Sequence, residues 1–291
     1  MFDSSFYNAG FTISGINDFL PFLQSIPKNK YPNLLIIGLD QWMFNENWDS
    51  LEGSKEPTYW GRSFQSNPGS KTFFSVYKDL KNGKYGVLES VKRFDKNAQV
   101  YHVGLHSVIN NTGIRRDGSL QYGKQIDKLL KSDTTANDYR YKDTFKRIKT
   151  GRRKFQYGNR LNPKALVYLE TLLSYCKENE IYVVGILPPF SIKVNEKMKQ
   201  TGKYRYLEEI FPASQECFKK YNFELWDMTN LKKFGSTDEE TIDGFHGGEL
   251  CYSKILIHLI NNQSKIKQYV EVERLKTDVR NRANDYIIFN Y

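Results

Sequence analysis

Apolar positions along the chain fall into two rhythms. Continuous apolar runs occur at Leu34-Leu35-Ile36-Ile37-Gly38-Leu39 and at Ile181-Tyr182-Val183-Val184-Gly185-Ile186-Leu187, the second closed by Pro188-Pro189. A shorter run, Phe223-Glu224-Leu225-Trp226-Asp227, follows. Short apolar runs bounded by glycine or proline predict buried strands. Elsewhere the apolar residues take a helical period. Pro163 opens a helix carrying Leu166, Val167, Leu169, Leu172 and Leu173 to about Glu178, and Tyr204 to Tyr221 predicts a second. A further strand is expected to end at Tyr7-Asn8-Ala9-Gly10, and an amphipathic helix follows His246. Apolar strands alternating with helices predict an α/β fold whose mostly parallel sheet is covered on both faces.

In such sheets ligand sites gather at the carboxyl ends of the strands. The predicted ends carry Asn8 and Gly10, then Asp40 and Gln41, then Pro188-Pro189-Phe190-Ser191. Ahead of the last amphipathic helix stands Asp243-Gly244-Phe245-His246. A serine nucleophile needs a base within hydrogen-bond reach and a carboxylate to orient that base, and a loop holding Asp and His three positions apart supplies both. The same spacing also serves helix caps and turns. Asp227 and Asp238 are the other carboxylates considered for the pair, but neither has that spacing.

Taken in order, Asn8-Ala9-Gly10, Gly38-Leu39-Asp40-Gln41 and Asp243-Gly244-Phe245-His246 resemble the second, third and fifth sequence blocks of the SGNH or GDSL-like hydrolases. Within that family the likeness is to the branch of polysaccharide O-acetyl transferases and esterases, and it spans roughly Phe6 to His258. The resemblance implies a three-layer α/β sandwich with a flavodoxin-like, mostly parallel sheet. It implies Asp243 and His246 as catalytic orienter and base, and Asn8, Gly10, Asp40 and Gln41 as oxyanion or substrate-binding residues. An acylated carbohydrate or polysaccharide is the implied substrate, with cell-surface glycan assembly proteins as further partners. No cofactor or metal is expected.

Two departures accompany the likeness. Asp40 stands where the family presents an asparagine amide, and an ionised carboxylate repels a developing oxyanion. Gln41 and the Gly10 backbone N–H are the substitutes. The first block, a Gly-x-Ser nucleophile after the first strand, has no counterpart, because Ser4 and Ser5 fall at the entry to the predicted strand rather than after one. The first family strand lies between the second and third, so its loss would open the middle of the sheet. One expectation is therefore that Met1 is not the natural start and that the chain as given is inactive. The other is a non-catalytic relative that binds an anionic glycan or an assembly partner.

Net charge of +10 over 291 residues changes the picture only locally. Arg115-Arg116, Arg140, Lys142, Lys146-Arg147, Lys149 and Arg152-Arg153-Lys154 are interleaved with Tyr139, Tyr141, Phe155 and Tyr157. The stretch reads as a basic insertion at about 110–160 within a domain spanning 1–263. A solvated face, an acidic glycan, anionic lipid or single-stranded nucleic acid each fits interleaved charge of this kind. No helix-turn-helix, RNP-type or zinc pattern accompanies it, and nucleic acid is not expected as a partner. Arg115-Arg116-Asp117-Gly118 has turn chemistry. His102 and His106 lack the acidic or thiol partners of a metal site, and His258 falls in a helix. Cys176, Cys217 and Cys251 have neither metal nor redox spacing and are expected to pack as small apolar groups. Residues 264–291 read as a charged helical tail ending in an apolar segment, Tyr286-Ile287-Ile288-Phe289. No signal or membrane span is legible, and the resemblance implies an extracytoplasmic or membrane-anchored enzyme if a further N-terminal segment exists.

Overall fold

The computed structural model describes residues 2, 6–10, 13–48, 70–83, 86, 99–102 and 105–289. Its regular elements are α1 (Phe19–Gln24), β1 (Leu34–Gly38), α2 (Ser70–Lys81), β2 (Val100–Tyr101), α3 (Leu105–Asn110), β3 (Gly113–Arg115), β4 (Leu120–Gln121) and α4 (Lys124–Leu130). They continue with α5 (Lys142–Thr150), α6 (Pro163–Glu178), β5 (Tyr182–Leu187), α7 (Ile192–Thr201), α8 (Tyr206–Lys220), β6 (Glu224–Asp227), α9 (Glu249–Asn261) and α10 (Val272–Arg280). The chain is mixed α/β and divides into two compact units. The larger comprises Met1–Phe6, Gly10–Glu52 and Asn137–Asn290; the smaller comprises Tyr7–Ala9, Gly53–Ala136 and Tyr291.

The larger unit holds a three-stranded parallel sheet in the order β1-β5-β6, with Leu34 opposite Tyr182 and Val184 opposite Glu224. Successive side chains on a strand point to opposite faces, and both faces here are apolar. Ile37, Val183, Leu187 and Leu225 join one core with Leu169, Leu172 and Leu173 of α6 and Phe218 of α8. Leu34, Ile36, Val184 and Trp226 join another with Leu250, Ile255 and Leu259 of α9 and Leu275 of α10. Burial on both faces is why these strands read as continuous apolar runs. Gly185 is required by closeness: a Cβ there would sit 2.4 Å from the Phe218 ring and 2.9 Å from Leu225.

Local chemistry sets the helix ends. Pro163 occupies the first turn of α6, where its missing N–H costs nothing, and the Asn162 side chain accepts from Lys164 N at 3.0 Å. Each fully buried leucine on that helix contributes roughly 1.5–3 kcal/mol. The residues after 263 are packed: Ile266, Leu275 and Ile288 are buried in the second core, and Glu249 accepts from Ile288 N and Phe289 N. Cys176 and Cys251 are free and buried, and burial pushes their thiols up to about 12 and about 11. Among the described residues no helix is long and apolar enough to cross a membrane.

In the smaller unit β2, β3 and β4 form an antiparallel sheet. The turn at 115–119 closes with Arg115 N donating to Ser119 O at 2.8 Å, and Gly118 takes φ +81°, as the turn chemistry of those residues predicts. Ser119 donates its hydroxyl to Asp117. Residues 6–9 correct the sequence reading, since they form no strand. Tyr7 is two-thirds exposed, and the Asn8 N–H donates to Asp117 O at 2.6 Å instead of to a sheet neighbour. The segment has neither apolar length nor alternation enough to enter a sheet. Ser4 and Ser5, and the side chain of His106, lie outside the described residues.

Candidate functional site

The Asp-x-x-His loop runs from the end of a short 3-10 turn at Asp238–Glu240 to the start of α9. Its geometry begins with one carboxylate. Asp243 Oδ1 accepts the backbone N–H groups of Phe245 (2.9 Å) and His246 (2.8 Å), while Oδ2 lies 2.8 Å from His246 Nδ1. The first two bonds fold the chain back on itself, and the third sets the imidazole tautomer and plane. A carboxylate beside Nδ1 holds the proton there, which turns Nε2 into the acceptor. The His246 side chain is 39% exposed and that of Asp243 20%, so the imidazole remains open to a ligand.

Distant elements brace the loop. Ile242 N donates to His246 O (2.8 Å) and Gly248 N to Glu240 O (2.7 Å). Ser191, capping α7, donates its N–H to Gly244 O at 3.1 Å. Asp138 accepts from Thr144 N (2.9 Å), Thr144 Oγ1 (2.5 Å) and Gly244 N (3.2 Å), tying the start of α5 to the loop. Asp138, Arg140 and Tyr141 all have positive φ, a conformation costing on the order of 1–3 kcal/mol at each non-glycine residue. It is held by those bonds and by the Tyr141 hydroxyl, which donates to Asp238 O at 2.9 Å and meets Thr241 Oγ1 at 2.8 Å. Glu240, buried, accepts from Ser236 and pairs with Lys254 of α9.

Facing the loop is the carboxyl end of β1. Asp40 is half-buried, and burial pushes its carboxyl up to about 6 against the opposing pull of Lys154 and His246. Lys154 stands over the Trp42 ring at 4.2 Å and the Phe245 ring at 5.4 Å, and Phe245 packs on His246 with ring centroids 4.1 Å apart. Burial lowers the Lys154 ammonium, while Asp40 and Asp243 act in the other direction. Trp42 and Phe155 both meet Phe245 edge-on at about 6 Å. The result is an aromatic wall on which the Lys154 ammonium stands between the Asp40 and Asp243 carboxylates, with Arg147 also against the Phe245 ring.

The structure thus brings Asp40, Asp243 and His246 to one end of the parallel sheet. Gln41 is beside them and buried, but its amide donates to Pro188 O at 3.0 Å, linking the ends of β1 and β5. One of its two hydrogens is therefore committed. Asn8 belongs to the smaller unit, and Gly10 starts a helical turn in which its carbonyl accepts from Ile13 N at 3.4 Å. The other candidate carboxylates have different tasks: Asp227 accepts from Thr229 N and Oγ1, and Asp238 accepts from Ile192 N and Lys193 N at the head of α7. His102 Nδ1 meets Thr112 O at 2.7 Å, and burial lowers His258.

Sequence reasoning leaves Lys154 in a charge run and passes over Trp42 and Asp138. An aromatic-flanked Lys-Phe at 154–155 is the available signal. A cleft of about 470 Å³ lies elsewhere, walled by Glu46, Tyr157, Lys203 and Arg205, and contains none of the paired residues. Among the described residues no group of His, Cys, Asp and Glu has the arrangement of a metal site. Comparison with family models, curated proteins and solved structures yields no match.

Proposed function

We propose that Asp243 and His246 are the carboxylate and base of a serine-type acyl-transfer site on an SGNH-like three-layer scaffold, related to carbohydrate O-acyl esterases and acyltransferases. The observation that carries the reading is the 2.8 Å contact between Asp243 Oδ2 and His246 Nδ1, with the second carboxylate oxygen taken by two backbone N–H groups. That arrangement leaves Nε2 as a proton acceptor beside the carboxyl ends of parallel strands. In this reading Nε2 takes the serine proton as the hydroxyl attacks the ester carbonyl. Asp243 stabilises the imidazolium so formed, and His246 returns the proton to the departing sugar oxygen. Water or a second sugar hydroxyl then releases the acyl group by the same steps. The serine of this reading lies outside the described residues, and the second hydrogen of Gln41 is the oxyanion donor it would use.

The test uses the native protein isolated from its source. A fluorophosphonate probe should label one serine, mapped by peptide mass spectrometry, and His246→Ala in the same gene should reduce the labelling rate by about 1,000-fold or more. Labelling that survives His246→Ala, or a folded native protein with no reactive serine, refutes the proposal. A second reading, a non-catalytic module for an anionic cell-surface glycan or assembly partner, is favoured by Asp40, a carboxylate where an oxyanion donor is needed. It predicts the second of those negative results.

A further inference from the structure

Three N–H-bearing side chains converge on Phe245, the residue that packs on His246. Lys154 Nζ is 5.4 Å from its ring centroid and Arg147 Cζ 5.9 Å, and Trp42 meets it edge-on at 5.9 Å. Their donors outnumber the acceptors they have. Trp42 is 3% exposed and its indole N–H has no acceptor among the described residues. Arg147 pairs with Asp143 through Nη2, yet its buried Nε likewise has none. Among the described residues no carboxylate approaches within 4 Å of Lys154 Nζ, which lies against two aromatic faces instead. Buried donors are ordinarily satisfied, and an unsatisfied group in a native structure calls for a reason.

We propose that the Lys154, Arg147 and Trp42 side of Phe245 is a subsite for an anionic group, carboxylate or phosphate, on the saccharide held next to His246. The carboxylates nearby do not fill this role. Both oxygens of Asp243 are occupied, one by His246 Nδ1 and the other by two backbone N–H groups. Asp143 is committed to Arg147 Nη2, and burial makes the carboxyl of Asp40, the other negative group acting on Lys154, easy to neutralise. A lysine supplies a point charge to either anion, an arginine supplies directed N–H donors, and a site in partly desolvated surroundings strengthens both. The inference rests on reading this site as one that handles carbohydrate, and it holds whether or not a serine completes the chemistry.

Titration calorimetry on the full chain decides it, with trigalacturonate, neutral trigalactose and glucose 6-phosphate as probes. The charged saccharides should bind at least about ten-fold tighter than the neutral one, and the stronger of the two identifies carboxylate or phosphate as the preferred group. Lys154→Met should remove about ten-fold in affinity for the charged probe and leave the neutral one unchanged. Lys154→Arg should retain binding, and Asp40→Asn should strengthen it. Equal affinity for charged and neutral probes, indifference to Lys154→Met in a folded variant, or no binding by the folded chain overturns the proposal. Failure of serine labelling in the native protein would refute acyl transfer and leave these binding results untouched.

Discussion

Replacing Asp40 by asparagine should stabilise the protein, and the gain should depend on pH. Burial raises this carboxyl from its ordinary 3.8 to about 6, even with Lys154 and His246 pulling the other way. The folded state therefore holds the proton more tightly than the unfolded state. The neutral acid's contribution to stability is fully present below pH 3.8 and is lost as pH rises to about 6. The full difference amounts to about 3 kcal/mol, at about 1.4 kcal/mol for each tenfold change in proton affinity. Asparagine matches the neutral acid in shape and escapes the penalty. The Asp40→Asn variant should exceed the parent by less than about 1 kcal/mol at pH 4 and by about 2–3 kcal/mol at pH 8. Urea denaturation at both pH values, followed by tryptophan fluorescence, measures the gap, because Trp42 reports on the same corner of the core. A gain that is flat with pH would mean that attraction to Lys154 and His246 offsets desolvation, a loss at pH 8 would mean that it outweighs desolvation, and either would refute the reasoning.

Two further substitutions test how the site is held. Gly185→Ala places a methyl group 2.4 Å from Phe218, a contact between β5 and α8 with no room to relax, and should cost about 1–3 kcal/mol in chemical denaturation. A neutral result would mean that α8 shifts freely on the sheet. Tyr141→Phe removes the hydroxyl that ties the 138–141 turn to Asp238 O and Thr241 Oγ1, and should lower stability by about 1 kcal/mol. Because the loop's other braces remain, the His246 Nδ1 resonance should keep its hydrogen-bonded shift, and losing it would assign Tyr141 a larger part in fixing the pair.

The elements legible in the sequence are those whose signal is local. Pro163 after Asn162 marks a helix start through its own cap, and the runs at 34–38 and 182–187 announce strands because both faces are buried. Asp243 and His246 are legible for the same reason, since a single turn brings them together. What escapes notice depends on long-range pairing. Asp138 reaches Gly244 across 106 positions, and Gln41 reaches Pro188 across 147. Lys154 is one charge among many until the fold stands it on Trp42. The strand expected to end at residues 7–10 is not formed over 6–9, because a few polar residues before a glycine are also a good loop and no local rule separates the two.

The bond between α9 and the segment at 286–289 has a bearing on synthesis order. Glu249 N donates to Tyr286 O at 2.8 Å, and the Glu249 carboxylate receives Ile288 N and Phe289 N from 39 and 40 positions further on. This clasp closes over the first turn of α9, directly after the loop that carries His246. A chain emerging from the ribosome can pair β1 with β5 well before that clasp exists, but the turn after His246 is not secured until residue 289 is free to fold back. The pairing of β1, β5 and β6 therefore does not wait for this clasp, whereas the turn that follows His246 does.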